Sequence, residues 1–169
     1  LPQTNKSLFG WQGNGLILPE QFIWEGNSNV GVAVKDGEYK IQLTVVDSSG
    51  KVGLSEAVSL IIDSTSPKAT LRVRKRSFSP DGDGLRDLLV VRQEGSYEKE
   101  WNGKFYDNSN LPVAEFSWKG KPRDFAWDGR KNNGSRVQDG VYYYELSSVD
   151  MAGNKTSRVI NDIVIDTRN

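Results

Sequence analysis

Hydrophobic and polar residues alternate along several short segments of this chain. The pattern is clearest in residues 39–45, where Tyr39, Ile41, Leu43 and Val45 fall on one side and charged or polar residues fall on the other. A period of two residues is typical of a β-strand with one buried face. Strands of the same kind are predicted at residues 69–74, 100–106 and 113–118, and a more continuously apolar strand at residues 85–91. No segment has a convincing helical period, so the sequence predicts an all-β fold.

The chain contains an internal repeat. Residues 22–63 align with residues 125–166 at a constant offset of 103 without a gap, and 15 of the 42 aligned positions are identical. Aspartate–glycine pairs in both copies predict turns, because glycine adopts positive φ at little cost. The matched tryptophans predict a structural role, as core residues or corner supports. The matched residues that we assign to this structural motif are Trp24, Gly26, Asp36, Gly37 and Tyr39 in the first copy and Trp127, Gly129, Asp139, Gly140 and Tyr142 in the second.

The repeat predicts two tandem Ig-like β-sandwiches. Residues 67–169 have about seven predicted strands in roughly 100 residues, which is typical of a complete Ig-like domain. Residues 1–66 correspond only to the C-terminal part of such a domain, so the first sandwich lacks its N-terminal strands. Half a sandwich leaves a sheet face and its edges unsatisfied. We expect preceding strands to complete it, or else another chain or the second domain.

Composition and charge narrow the function. The 169 residues include 22 basic residues (lysine and arginine) and 22 acidic residues (aspartate and glutamate). There is thus no excess of positive charge that would favour nucleic acid as a partner. No apolar run approaches the roughly 20 residues of a membrane-spanning helix, so we expect no membrane insertion by this segment. The chain has neither cysteine nor histidine, which excludes disulfides, thiolate chemistry and the commonest general base. We therefore expect no enzyme activity, no catalytic residues and no organic cofactor.

Three aspartates form the most distinctive cluster of candidate metal ligands in the sequence. Asp81, Asp83 and Asp87 are spaced by glycines, and such carboxylates are the oxygen ligands that calcium prefers. The pattern is not that of an EF-hand, because Leu85 replaces one ligand. The other interpretation is a glycine-rich turn whose aspartates accept hydrogen bonds from their own backbone. Calcium is the one cofactor that the sequence suggests.

Aromatic residues outside the repeated motif suggest a second kind of site. Trp101 and Trp118 have no partner at the repeat offset, and Tyr143 lies on the outward phase of its strand, where the first copy has Lys40. Flat aromatic rings stack on sugars, so these three residues are the candidates for contact with a ligand. The alternative is that the tryptophans belong to the core, as large aromatics usually do.

The same segments resemble known bacterial domains. Residues 125–142, with Phe-Ala-Trp-Asp-Gly followed by Val-Gln-Asp-Gly-Val-Tyr, are similar to the Ig-like repeat of the flagellar hook-capping protein. Residues 78–87 resemble the opening motif of the same superfamily, which also opens gliding-motility-type C-terminal domains. The turn at residues 150–154 is similar to the turn that closes repeats in large bacterial surface proteins. The resemblance implies an extracytoplasmic bacterial location, either periplasmic, outer-membrane-associated or secreted.

These observations together favour a non-enzymatic structural role. We expect a spacer or adhesive region of a larger envelope or secreted protein, whose partners are other domains of that protein and another protein or a glycan at the cell envelope. Two alternatives stay open: a module that binds glycan or protein, and a flagellar hook-assembly factor. The resemblance to gliding-motility-type domains implies in addition a domain that addresses proteins for secretion to the cell surface. Such a domain should end its protein, yet Asp166-Thr167 repeats the Asp63-Ser64 boundary, so we expect further repeats or a different domain beyond Asn169.

Overall fold

The computed structural model describes residues 9–10, 21 and 23–168, and these form only strands, turns and loops. The chain divides into two compact units, Leu1–Ser64 and Thr65–Asn169, and the division falls within the predicted linker of residues 63–67. The described residues contain no helix that could cross a membrane. The prediction of an all-β protein is therefore confirmed for the part of the chain that the structure describes.

The described residues form twelve strands, four in the first unit and eight in the second. Those of the first unit are β1 (Gly37–Ile41), β2 (Thr44–Val46), β3 (Val52–Leu54) and β4 (Val58–Ile62). Those of the second unit are β5 (Ala69–Val73), β6 (Ser77–Phe78), β7 (Leu89–Gly95), β8 (Glu98–Asp107), β9 (Pro112–Gly120), β10 (Phe125–Trp127), β11 (Gly140–Val149) and β12 (Lys155–Ile165).

The second unit contains two sheets. One has three strands in the order β10-β7-β5, and the other has five in the order β6-β12-β11-β8-β9. All neighbours are antiparallel except β6, which pairs in parallel with the end of β12. Strand β11 is paired along both edges, with β12 on one side and β8 on the other. Its inward residues alternate with outward ones, as the period of two requires.

An aromatic cluster fills the core of the second unit. The ring of Phe105 stacks on that of Trp127 at 3.8 Å between centroids, and the ring of Tyr144 lies 4.7 Å from Phe105. The Tyr144 hydroxyl donates a hydrogen bond of 2.8 Å to Oε1 of Gln93 on the opposite sheet. Both Tyr144 and Gln93 are buried, and burial raises the pKa of Tyr144. A buried polar pair of this kind is stable because each group satisfies the other.

Gly103 on β8 lies where no side chain would fit. A Cβ atom built on Gly103 would overlap the Tyr144 hydroxyl and would lie 2.8 Å from Cζ3 of Trp118. The glycine thus lets the tyrosine ring reach across β8 towards Gln93. The glycine and the tyrosine are therefore two parts of one packing arrangement.

The internal repeat is confirmed as a structural repeat. The Trp24 indole donates to the Asn27 carbonyl at 2.6 Å, and the Trp127 indole donates to the Arg130 carbonyl at 2.8 Å. Trp127 follows Trp24 by 103 positions, and Arg130 follows Asn27 by the same offset. The indole thus closes the same turn in both units.

Hydrogen bonds at the second half of the motif recur in the same way. The hydroxyl of the motif tyrosine donates to a backbone carbonyl four residues earlier, and the motif aspartate accepts from a hydroxyl two residues after the last strand. The first-unit bonds are Tyr39 to Lys35 (2.5 Å) and Ser64 Oγ to Asp36 (2.7 Å). The second-unit bonds are Tyr142 to Gln138 (2.7 Å) and Thr167 Oγ1 to Asp139 (2.9 Å).

Two strand predictions need correction. Residues 39–45 do not form one strand with a buried face: β1 and β2 are separate, Tyr39 and Trp24 are only half-buried, and Ile41 is exposed. The predicted strand at residues 85–91 begins only at Leu89, because Arg86 has a positive φ of 62° and the Asp87 carboxylate accepts hydrogen bonds from the preceding turn, at the amides of Gly82 and Gly84.

Replacing Gly103 with alanine tests the core. We expect Gly103→Ala to lower the free energy of unfolding by about 1–3 kcal/mol, because the added methyl group overlaps the tyrosine hydroxyl. Chemical denaturation measures the change. Asn102→Ala, at the outward-facing neighbouring position, is the matched control and should cost less than about 1 kcal/mol. Equal stability of the glycine variant and the parent chain would contradict this account of the core.

Candidate functional site

The three predicted aspartates lie together in the turn between β6 and β7. One carboxylate oxygen from each of Asp81, Asp83 and Asp87 can be chosen so that all three lie within 4.8 Å of one another. Gly82 and Gly84 have φ of 93° and 86°, a backbone conformation that favours glycine. The glycines thus allow the chain to fold its carboxylates to one side. We call residues 79–87 the acidic turn.

Backbone amides already occupy much of this carboxylate cluster. The two oxygens of Asp87 accept hydrogen bonds from the amides of Gly82 (2.7 Å) and Gly84 (2.8 Å). Asp81 accepts from the amide of Asp83 at 3.0 Å, and Asp83 accepts from the amide of Leu85 at 2.6 Å. A carboxylate that accepts backbone N–H bonds shapes a turn without any cation. These contacts favour the turn interpretation, and calcium binding stays a prediction.

The electrostatics of Asp81 agree with this role. The pKa of Asp81 is lowered, chiefly because the backbone amide of Asp83 donates a hydrogen bond to its carboxylate, with the Ser79 hydroxyl contributing less. A group whose pKa is lowered on folding stabilises the fold above its ordinary pKa of 3.8. That contribution is lost as the pH falls through the lowered pKa. The contribution of Asp81 to the stability of the fold should therefore not change with pH near neutrality.

The acidic turn is fixed to the repeat motif of the second unit. Pro80 is buried, and a Cβ atom on Gly129 would lie only 2.9 Å from its Cγ. Phe78, directly before the turn, packs its ring 5.8 Å from that of Trp127. The two sequence motifs that carried the resemblance are thus one packed corner. Sequence spacing could not show this contact, because Pro80 and Gly129 are 49 positions apart in the chain.

Two of the predicted ligand contacts are core residues. Trp101 has an exposed fraction of 0%, and its indole donates to the Ser96 carbonyl at 3.1 Å. Trp118 is 9% exposed and packs against Phe116 and Phe125. Neither ring is presented for stacking on a ligand, since strand pairing turns both side chains towards the core. The absence of a repeat partner therefore did not indicate exposure.

Tyr143 does lie on the outer face of the five-stranded sheet. It is half-buried, and its ring stacks on Tyr106 at 4.8 Å with an interplanar angle of 14°. Its hydroxyl donates to Oδ1 of Asn110 at 3.1 Å. The pKa of Tyr106 is raised, first by burial and then by the negative charge of Glu145. Tyr106 was not predicted, although its alternation with Phe105 on β8 indicates the outward phase.

A protein family matches most of the second unit. The family described as the CHU_C Type IX secretion signal domain matches residues 71–161, which is more than half of the chain. This chain belongs to that family. The matched range includes the acidic turn, the repeat motif of the second unit and the aromatic core, so the residues described above are those of a type IX secretion signal domain.

Membership in this family settles the general function. The domain is a non-catalytic targeting module of a secreted bacterial protein, and it is recognised by the type IX secretion machinery. The predicted extracytoplasmic location is confirmed, since this signal belongs to secreted or outer-membrane-surface proteins. The resemblance to gliding-motility-type domains is confirmed by the same match.

Comparison with individual proteins adds little to this assignment. No curated protein matches the chain. Solved structures that match include dimeric latent PorU from Porphyromonas gingivalis, at 17% sequence identity and a TM-score of 0.47. That match covers 81% of this chain but only 13% of the PorU chain.

The acidic turn can be tested by substitution in the presence and absence of calcium. We expect Asp87→Ala to lower the free energy of unfolding by about 1.5–3 kcal/mol, because two amides lose a charged acceptor. We also expect millimolar calcium to leave the melting temperature of the parent chain unchanged. Glu94→Ala, an exposed carboxylate outside the turn, is the control and should change stability little. A rise in melting temperature with calcium that Asp87→Ala abolishes would establish a calcium site instead.

Proposed function

We propose that this chain is a sorting and spacer region built from tandem Ig-like repeats. The second unit, from Thr65 onwards, is the signal for the type IX machinery. The first unit is a repeat of the same design, which acts as a spacer or adhesive module of the exported protein. The observation that carries this division is the position of the family match: residues 71–161 lie entirely within the second unit.

The repeated contacts support a structural role for the first unit. Its indole, tyrosine and aspartate hydrogen bonds are those of the second unit. A structural motif that recurs along a chain is typical of a repeat array. Sandwich folds serve many functions, so the fold alone does not assign one.

Export of a reporter tests the sorting function. The full 169-residue chain would be fused behind a periplasmic reporter in a bacterium that has type IX secretion. We expect the reporter to reach the cell surface or the medium, and to stay in the periplasm of a strain that lacks the type IX machinery. Cell fractionation and surface protease accessibility measure the outcome.

A matched truncation separates the two units. The same reporter fused to residues 1–64 alone should stay periplasmic, whereas removal of residues 1–64 from the full fusion should leave export intact. Export of the fusion with residues 1–64 would contradict the assignment of the signal to the second unit. Retention of the full fusion, with its second unit shown to be folded, would contradict the sorting function itself.

Ligand binding is a second candidate function, favoured by the stacked Tyr106–Tyr143 pair on the outer sheet face. An outward pair of aromatic rings offers a flat surface for a sugar or an extended peptide. A glycan array with the parent chain, Tyr143→Ser and Tyr97→Ser tests it. Tyr97 is 80% exposed and is the control for a general loss of aromatic surface. Binding that only the Tyr143 variant loses would support this function, and an array without hits would remove it.

Hook assembly, the third function that the sequence suggested, has no specific support. Its basis is the resemblance of residues 125–142 to the hook-capping repeat, and this resemblance concerns the fold of the repeat. We therefore keep secretion and spacing as the proposed function.

A further inference from the structure

The five-stranded sheet of the second unit ends in a long strand. Among the described residues, the edge strands are β6 and β9 in this sheet and β5 and β10 in the three-stranded sheet. β6, β10 and β5 are short, with two, three and five residues, whereas β9 has nine. An edge strand presents a row of N–H and C=O groups to which another chain can add a strand. Of these four strands, β9 therefore offers the longest row to an added strand.

A side chain occupies the middle of the β9 edge. Oδ1 of Asn132 accepts a hydrogen bond from the Glu115 backbone amide at 2.7 Å, and Nδ2 of Asn132 donates one to the Glu115 carbonyl at 3.1 Å. Both backbone groups of Glu115 therefore point away from β8, and Asn132 satisfies both. A carboxamide has the same kinds of donor and acceptor as a peptide group. Asn132 thus takes the place of one residue of a neighbouring strand.

A small hairpin holds Asn132 in this position. The Lys131 amide donates to the Ser135 carbonyl at 2.8 Å, and the Gly134 amide donates to the Lys131 carbonyl at 2.9 Å. The neighbouring Asn133 is bonded inside the hairpin, since its Oδ1 accepts from the amide and the hydroxyl of Ser135 at 3.0 and 2.7 Å. The two asparagines therefore have different roles: Asn133 shapes the hairpin, and Asn132 binds the edge strand.

The equivalent asparagine of the first unit makes a contact of the same kind. Asn29 precedes Asn132 by the repeat offset of 103, and its Oδ1 accepts from the Gly10 backbone amide at 3.0 Å. Gly10 lies 19 residues before Asn29, and Glu115 lies 17 residues before Asn132. In both units the motif asparagine thus binds the backbone of a segment that precedes the motif. The repeat preserves this contact and not only the asparagine.

We propose that Asn132 closes the β9 edge against antiparallel pairing with β9 of a second copy of this chain. Backbone groups alternate in direction along a strand. Because those of Glu115 point outwards, the groups that face a second copy belong to every second residue of the strand, namely Val113, Glu115, Ser117 and Lys119. The bonds of Asn132 lie within this row, so a strand that pairs there has to displace them.

The charges of β9 fit a second copy in one particular register. A two-fold axis at Ser117 relates two antiparallel copies so that Glu115 of each lies opposite Lys119 of the other. Opposite charges directly across a strand pair stabilise it, whereas an axis at Glu115 would bring like charges together. The favourable register uses the Glu115 backbone groups that Asn132 occupies. A second copy is therefore the partner that fits this edge and that Asn132 excludes.

Removal of the side chain tests the proposal in the full chain. We expect Asn132→Ala to stay folded and to self-associate, with an apparent mass that rises by up to about twofold with concentration, as for a symmetric dimer. The parent chain should stay monomeric over the same range. Asn133→Ala is the matched control, because it loses two hydrogen bonds within the hairpin and none to β9, and it should stay monomeric. Sedimentation velocity measures the mass, and circular dichroism verifies the fold.

Reversal of one charge tests the register. In the Asn132→Ala background, Lys119→Glu places two negative charges opposite each other and should abolish the association. Lys121→Glu makes the same change of charge just beyond the end of β9 and should preserve the association. Association that survives Lys119→Glu would contradict the pairing of two β9 strands.

Hydrogen–deuterium exchange gives a second readout, resolved along the strand. In the parent chain the Glu115 amide should exchange more slowly than the Ser117 amide at every concentration, because Asn132 protects it. In Asn132→Ala the Glu115 amide should lose this protection at low concentration. At high concentration the amides of Glu115, Ser117 and Lys119 should become protected together. If the alanine variant does not fold, Asn132→Ser takes its place, since serine is too short to bridge both backbone groups of Glu115.

Three outcomes would overturn the proposal. The first is a folded variant without the Asn132 amide that stays monomeric at every concentration. The second is equal association of Asn133→Ala, because a weakened hairpin would then be the cause. The third is protection of Ser117 and Lys119 in the parent chain that increases with concentration, because the edge would then be open already. These measurements use purified protein and no secretion, so their failure leaves the sorting function untouched.

Discussion

The pairing of β11 along both of its edges is the constraint on which the second unit depends. Strand β12 holds one edge and β8 the other, so the inward residues of β11 are fixed in register against the three-stranded sheet. The Tyr144 hydroxyl can reach Gln93 only because β8 presents a glycine beside it. A shift of β8 by one residue would turn a neighbouring side chain into that space, since successive side chains face opposite sides. Among the described residues of the first unit, the segment equivalent to β11 is divided into β1 and β2, which pair only with β4 and β3.

Much of the fold follows from local pattern, and the parts that do not follow share a physical cause. The repeat predicted the paired motif contacts of Trp24 and Trp127, because their hydrogen bonds are made within a few residues of each indole. Burial could not be predicted in the same way, since it depends on strands distant in the sequence. Trp24 is half-buried and Trp127 is buried, although the local turns match. Local identity fixes a turn, whereas burial is fixed by what packs on it.

The candidate site shows the same limit. The spacing of the aspartates identifies the acidic turn, but it does not predict their hydrogen bonds with backbone amides. An Asp–Gly–Asp–Gly run is compatible both with carboxylates that accept such bonds and with carboxylates that bind calcium. The sequence predicts a strand from Leu85 because the hydrophobic pattern does not register the positive φ of Arg86 or the bonds from the Gly82 and Gly84 amides to Asp87, which keep the start of this segment in a turn. The lack of repeat partners predicts a contact with a ligand for Trp101 and Trp118. Their burial follows from the position of β8 and β9 beside β11, which the sequence pattern does not give.

A signal made of a folded domain has a consequence that a short linear signal does not have. The matched range of residues 71–161 extends over both sheets and includes the acidic turn, which Pro80 packs against Gly129 of the repeat motif. A surface assembled from these segments exists only when the long-range strand pairs have formed, because residues far apart in sequence contribute to it. A machinery that reads such a surface reads the completed fold. The buried rings of Phe105, Trp127 and Tyr144 hold in place the strands that carry the outer face, so that face depends on residues that are not part of it.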